Sequence, residues 1–302
     1  MEQILARAKK VAEEAEVFMV SSEETPVQFE ANRLKHIQSK QSSYVALRII
    51  TDGKIGYATA TGLGDSQNLV NEAVETAQFG MLARFELPSL TSYPKIEVFD
   101  PEVESVSIEE MIRLGEELIA TLKGHTPDLV CHVWVTKGTI SLRIMNSRGG
   151  QANYKQTIFS LNVWANLIRD IDMLFVGESQ SSCHPMVEPN TVAGEVLQQL
   201  ELAKNRASAP SKPLPVVFTP HGVASALILP LMAAFNGKIV LKGASPIGNR
   251  LGHRVFNEKL WLWDDPTLPY RPGSRPCDDE GVPSQRTPVS YTHLTLPTIL
   301  RV

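Results

Sequence analysis

Asp52-Gly53 stands between two β-rich runs, YVALRIIT (44–51) and KIGYATA (54–60). Both positions of a two-residue hairpin loop need positive φ, which Asp and Gly tolerate, so the pair predicts a tight hairpin. Ahead of it, Ile4, Ala8, Val11 and Ala15 recur at helical spacing. Strand-like segments follow at 15–21, 26–32, 33–39, 44–51 and 54–60. Beyond the hairpin, Asp65 or Ser66 caps a helix whose apolar stripe is Leu69, Val70, Ala73, Val74 and Ala77. Residues 1–85 therefore predict an N-terminal α+β domain.

A proline-bearing connector, 86–106, leads into a second unit of similar order, 107–208. Ser107-x-x-Glu110 is a capping box, and Ile108, Met111, Ile112, Leu118, Ile119 and Leu122 line one helical face up to Gly124. Strands are expected at 128–136, 139–146, 151–168 and 172–176, then a helix over 191–207. Three prolines in Ala209–Pro215 mark a boundary. Past it, VVFTP reads as a strand entering an apolar helix, Pro220 to Phe235, which Pro230 should kink or split. The predicted fold class is α+β: two helix–sheet–helix units followed by an incomplete, mostly β C-terminal domain, 209–289.

Composition narrows the function classes. With 43% apolar and 21% charged residues the chain reads as an ordinary globular protein. A net charge of −4 and the lack of any Lys/Arg-rich run argue against non-specific DNA binding, which depends on neutralising phosphates. The longest apolar run, Val223 to Phe235, is broken by Ser225 and Pro230 and is too short to span a membrane. Three scattered cysteines make no disulfide framework, and MEQILARAKKVAEEAE reads as a charged amphipathic helix rather than a signal peptide. The expected location is cytoplasmic.

Candidate chemistry is sparse. The seven histidines include no pair spaced i, i+3 or i+4, so ligand spacing predicts no zinc site on this chain. Cys131-His132 and Cys183-His184 are sequence neighbours, and Ser182-Cys183-His184-Pro185 reads as a loop after a strand rather than a catalytic dyad. Gly237-Lys238-x-x-x-Lys242-Gly243 lacks the Lys-Ser/Thr order of a phosphate loop. The carboxylates Asp264, Asp265, Asp278, Asp279 and Glu280 lack calcium-loop spacing. Asp264 and Asp265 are expected to cap turns, with Asp279 and Glu280 pairing with Arg275 or Arg286.

The layout from Pro220 to Thr287 nevertheless resembles the C-terminal domain of the TldD/PmbA family, the "modulator of DNA gyrase" peptidases. Gly273-Ser274-Arg275-Pro276 and Asp278-Asp279-Glu280-Gly281-Val282-Pro283 are similar to that domain's signature. Asn146-Ser147-Arg148-Gly149, with Tyr154 and Thr157, resembles the family's central motif, and Leu47-Arg48 with Asp52–Ala58 its N-terminal hairpin. In the TldD branch the apolar helix carries a HExxxH metal motif. Counted back from Lys242-Gly243 and Arg250-Leu251-Gly252, its histidines fall on Ile228 and Ala233 and its glutamate on Leu229, so the chain looks like the PmbA (TldE) branch.

The resemblance implies no catalytic and no metal-ligating residue on this chain. Asn146, Ser147, Gly149, Lys242, Gly243, Arg275, Asp279, Glu280 and Gly281 are its signature or channel candidates. It also implies a heterodimer with a TldD-like, HExxxH-bearing subunit that holds zinc, acting on unfolded peptides and binding neither nucleic acid nor membrane. The alternatives are a metal-dependent peptidase active on its own and a gyrase- or DNA-interacting regulator. After Thr287 the chain departs from the family pattern, and Ser290 to Val302 is expected to be a non-native tail on a truncated third domain.

Overall fold

The computed structural model describes the chain apart from Leu63, 170–171, 186–187, Arg206, Ala209, Leu251, 292–293 and 296–302. The expectation for the 290–302 tail falls largely outside the described residues. The chain divides into two compact units: Met1–Arg206 with Thr267–Ser284, and Ala207–Pro266 with Gln285–Val302.

The first unit opens with α1 (Glu2–Ala8), β1 (Glu14–Glu30), β2 (Arg33–Ile37), β3 (Lys40–Thr51) and β4 (Lys54–Thr61). Helices α2 (Ser66–Ala77), α3 (Pro101–Ser105) and α4 (Ile108–His125) follow. Then come β5 (Val130–Asn146), β6 (Gln151–Arg169), β7 (Asp172–Ser182) and α5 (Pro189–Leu202). The expected Asp52-Gly53 turn forms, with φ of 50° and 68°. A second such turn, Ala31-Asn32 (φ 47° and 67°), joins β1 to β2 at residues the sequence reading placed at strand ends. Asp65 caps α2 by accepting from the Gln67 amide, and Ser107 caps α4 by accepting from the Glu110 amide.

The two predicted helix–sheet–helix units share one sheet. Its order is β4-β3-β1-β5-β6-β7, all antiparallel, with β2 paired to β1 beside β3. Breaks expected near 22–25 and 137–138 are absent, for identifiable reasons. Pro26 sits where one flank of β1 changes partner, from Glu24–Lys40 with β3 to Val27–Ile37 with β2, a place that tolerates a missing donor. Gly138 lies within β5 because a Cβ there would stand 2.9 Å from the Glu23 carbonyl oxygen. Its lack of a side chain permits close strand approach rather than making a turn.

Alternation along β1 sorts the layers. Ala15, Val17, Val27 and Phe29 share one face, and all are buried. At one end α1 and α2 cover this face over Val45, Leu47, Ile49 and Ala58. At the other, α4 and α5 cover Val133, Phe159, Leu161 and Val163. Each fully buried side chain of this size contributes roughly 1.5–3 kcal/mol relative to exposure. Between the two helix layers the same face carries Ser21, Glu23, Ser43, Thr139 and Ser141, which line a cavity of about 690 Å³. On the opposite face, Leu142, Ile144 and Ala152 are buried with Cys277 from the 267–284 segment.

In the second unit VVFTP forms no strand, contrary to expectation. The apolar helix begins as α6 (Pro220–Val223), passes through a π-turn (224–228) and continues as α7 (Leu229–Phe235). Pro230 thus falls at the start of α7, and the wider turn before it accommodates the missing amide and the ring. α8 (Gly237–Leu241) follows, and β8 (Leu262–Asp264), β9 (Thr287–Tyr291) and β10 (Leu294–Thr295) form a three-stranded sheet. The segment expected to be mostly β is therefore helical over much of 220–241.

Candidate functional site

Seven of the nine signature residues lie in the first unit, where the 267–284 segment returns to the open face of the sheet. Asp278 folds this segment into a tight loop: its carboxylate accepts from the Glu280 amide (2.9 Å) and the Val282 amide (2.8 Å). Gly281 adopts φ 73°, and its carbonyl accepts from the Tyr93 hydroxyl (3.0 Å). Asp279 pairs with Arg275 at 2.8 Å in an exposed position, one of the pairings the sequence suggested. Glu280 does not pair with Arg275 or Arg286. It reaches Arg48 on β3 at 2.8 Å instead.

Arg48 also holds Glu16, its direct partner across the β1–β3 ladder, at 2.8 Å. One guanidinium therefore serves two carboxylates and lies over the Phe85 ring, 4.9 Å from its centre. The side chain of Glu16 is only 5% exposed. Its carboxyl pKa is pushed up to about 7, first by burial and also by the negative charges of Glu280 and Asp278, against the pull of Arg48. The Arg48 pKa is raised as well, its own desolvation outweighed by Glu16 and Glu280, which drives it toward the charged form while Glu16 is driven toward the neutral one. The two directions are compatible: with one cation between two carboxylates, protonating the more buried one leaves the trio neutral. Glu16 Oε2 and Arg48 Nε have no hydrogen-bond partner, which adds to the cost of charging the pair. Glu16 escaped the sequence reading, although a glutamate between Ala15 and Val17 in a strand was a visible signal.

The Asn146 motif builds a turn at the end of β5. The Asn146 carboxamide oxygen accepts from the Arg148 amide (3.0 Å) and the Gly150 amide (2.8 Å), and its nitrogen donates to the Pro88 carbonyl (2.8 Å). Ser147 Oγ accepts from the Ala15 amide at 3.0 Å, and Gly149 takes φ 87°. Downstream, Tyr154 packs against the cluster around Cys277, and burial raises its phenol to about 12. These residues tie β5, β1 and the 86–106 connector together.

The remaining predicted positions, Lys242 and Gly243, lie in the second unit, where Lys242 ends α8 and Gly243 takes φ 69°. On the preceding helix, Leu229 is 67% exposed, Ala233 is exposed and Ile228 half-buried. Their aliphatic side chains offer no ligand atom for a zinc ion and no base for water. The zinc of the HExxxH branch does not fit here.

A further group of polar residues lies in the first unit. Asp100 and Glu102, at the start of α3, and His184, just after β7, bring one potential ligand atom each within 4.8 Å of one another. The expected loop after β7 is present. Cys183 within it is buried, its thiol is raised by desolvation, and it faces Gln156 and the Arg271 carbonyl. His184 turns instead to Asp100, so the two neighbours form no dyad.

Two family-domain descriptions match the chain. "PmbA/TldA metallopeptidase domain 1" covers residues 15–77, and "PmbA/TldA metallopeptidase C-terminal domain" covers 211–290. An uncharacterized protein of Methanocaldococcus jannaschii is 27% identical over 292 residues, spanning 95% of this chain and 67% of that protein. Among solved structures, TldE from Thermococcus kodakarensis superposes with a TM-score of 0.82 at 18% identity, over 98% of this chain and 68% of that one. A proposed modulator of a DNA gyrase from Thermotoga maritima gives a TM-score of 0.83 at 20% identity, over 97% of this chain and 68% of that one. The fold and both domain matches agree with the motifs read from the sequence: the chain belongs to the PmbA/TldD family, the metallopeptidase-like group that includes TldE.

Proposed function

We propose that this chain is the non-catalytic subunit of a zinc-dependent peptidase complex that degrades or processes unfolded peptides. The observation carrying this reading is the set of side chains at the HExxxH positions. Ile228, Leu229 and Ala233 can neither ligate a metal nor take a proton from water. The family is metallopeptidase-like, so the chemistry belongs on a TldD-like partner bearing the motif, and zinc on that partner. This chain supplies the subunit surface and part of the wall along which a peptide lies. An extended peptide adding to a sheet edge by main-chain hydrogen bonds accounts for low sequence selectivity.

Peptide cleavage by this chain alone, and mixed with a HExxxH-bearing relative, tests the proposal with zinc supplied in both reactions. Cleavage in the mixture, with none from this chain alone, is the expected result. Chelator-sensitive cleavage by this chain alone overturns it.

A further inference from the structure

The group formed by Asp100, Glu102 and His184 is not used by the proposed function. All three residues belong to the first unit and come from two segments: the connector running into α3, and the turn after β7. Asp100 Oδ1 is committed to the Glu102 amide at 2.8 Å, while Oδ2 lies against Nδ1 of His184. The Asp100 side chain is 12% exposed and the His184 side chain 37%. Glu102 is exposed. One side of the group is thus walled by protein and the other open to solvent.

The backbone behind these side chains is fixed by a single buried hydroxyl. Thr157 Oγ1 accepts from the Asp100 amide (2.9 Å) and donates to the Cys183 carbonyl (2.6 Å), so one group sets the spacing of both segments. The Thr157 amide donates to the Val98 carbonyl at 3.0 Å. The His184 amide donates to Ser182 Oγ at 3.1 Å, and the ring packs against Tyr270 with centroids 5.5 Å apart. The donor atoms are therefore held near one another by groups outside the cluster, the arrangement that fixes ligand geometry around protein-bound metals.

We propose that Asp100, Glu102 and His184 form a binding site for a divalent transition-metal ion, zinc by preference. One imidazole nitrogen with two carboxylate oxygens is a borderline donor set that suits zinc or cobalt better than magnesium or calcium, which favour all-oxygen shells. Three protein ligands leave a coordination position for water on the solvent side. The ion takes the place of the Asp100–His184 hydrogen bond, and clamps the 86–106 connector to the end of β7. This site is separate from the HExxxH positions, and its occupancy does not require the chain to cleave peptides.

The test is metal uptake by tag-free full-length chain, dialysed with zinc and, in parallel, with cobalt as a spectroscopic probe. Wild-type protein should take up one equivalent of zinc and show the visible band of low-coordinate cobalt. His184→Gln should abolish both. Glu102→Gln, at an exposed position where folding is not at risk, should weaken uptake by at least about 10–100-fold, since losing even an outer-shell partner of a metal ligand costs that much. Absence of stoichiometric uptake by the wild type overturns the proposal. So does uptake that both variants retain, which would mark adventitious metal only. Because the readout is metal content and colour, failure here leaves the peptidase reading standing, and failure of that reading leaves this one standing.

Discussion

Glu16 and Arg48 face each other across the β1–β3 ladder, and the same guanidinium reaches Glu280, 232 positions further along the chain. The signature loop at 278–283 is thereby anchored to the sheet by an ion pair whose other half is already engaged. Arg48→Ala leaves two carboxylates facing each other, one of them buried. Breaking a buried pair from one side costs about 3 kcal/mol or more, since the remaining charge keeps its desolvation penalty. Chemical denaturation should show that loss for Arg48→Ala and a smaller one for Glu16→Gln. Equal losses would mean that Glu16 is charged in the folded protein and that its pair with Arg48 carries the effect.

The raised carboxyl of Glu16 makes stability depend on pH in a fixed direction. Folded Glu16 holds its proton up to about pH 7, whereas the ordinary carboxyl value is 4.5. The folded state therefore binds more protons in that window, and stability must fall as pH rises through it. The contribution of this group is full below about pH 4.5 and lost above about pH 7, a change of a few kcal/mol at roughly 1.4 kcal/mol per unit. Urea unfolding across that window should show the fall in wild-type protein and a flatter profile in Glu16→Gln. A wild-type profile that rises with pH would remove the buried, desolvated carboxyl from the explanation.

Local signals carried much of this fold. Asp52-Gly53 specifies its turn through the positive φ both residues tolerate, and Asp65 and Ser107 cap through a neighbouring amide, so all three were legible without tertiary context. Pro26 and Gly138 misled because their effect depends on what lies alongside. Proline is harmless where a strand changes partner, and glycine is needed where a neighbouring carbonyl comes close. The site was legible as motifs but not as geometry. Asp278–Pro283 reads as part of the C-terminal domain, yet it packs within the first unit, because its carboxylate and carbonyl find Arg48 and Tyr93 there. Asp100 and His184 are 84 residues apart, and nothing in sequence spacing could pair them.

Close approach of β4 and α2 gives a steric prediction. A Cβ on Gly56 would lie 2.1 Å from the Ala73 carbonyl oxygen and 2.6 Å from the Ala77 Cβ, neither of which can rotate away. Gly56→Ala should cost about 1–3 kcal/mol, the usual range for overpacking a close-packed contact. Gly194, within α5, has no atom near its added Cβ, so Gly194→Ala should be neutral or stabilising by up to about 1 kcal/mol. Thermal melts of the two variants should move in opposite directions. A wild-type melt for Gly56→Ala would mean that β4 and α2 do not approach each other this closely.

Cysteine reactivity follows from burial. Cys131, Cys183 and Cys277 are all buried, and desolvation pushes the thiols of Cys131 and Cys277 up to about 11. A thiol that stays protonated and covered is a poor nucleophile. Native protein at neutral pH should resist alkylation, and all three cysteines should react once it is unfolded. Rapid native labelling of Cys277 would show that the 267–284 segment lifts readily from the sheet.

Asn146 separates a turn-building role from a channel role for the family's central motif. Its carboxamide satisfies two amides and one carbonyl, and the Gly150 amide it holds is buried. Asn146→Ala leaves those groups unpaired, at about 1–3 kcal/mol for each buried one that water cannot reach. Asn146→Asp keeps the acceptor but sets a carboxylate oxygen against the Pro88 carbonyl, so it should destabilise nearly as much. If the motif serves the turn, both variants lose stability together, and activity of a reconstituted complex falls only as far as folded protein is lost. If the motif contacts substrate, Asn146→Ala keeps wild-type stability while the complex loses turnover. Denaturation and turnover measured on the same preparations decide between them. Three hydrogen bonds all directed to local backbone favour the first outcome.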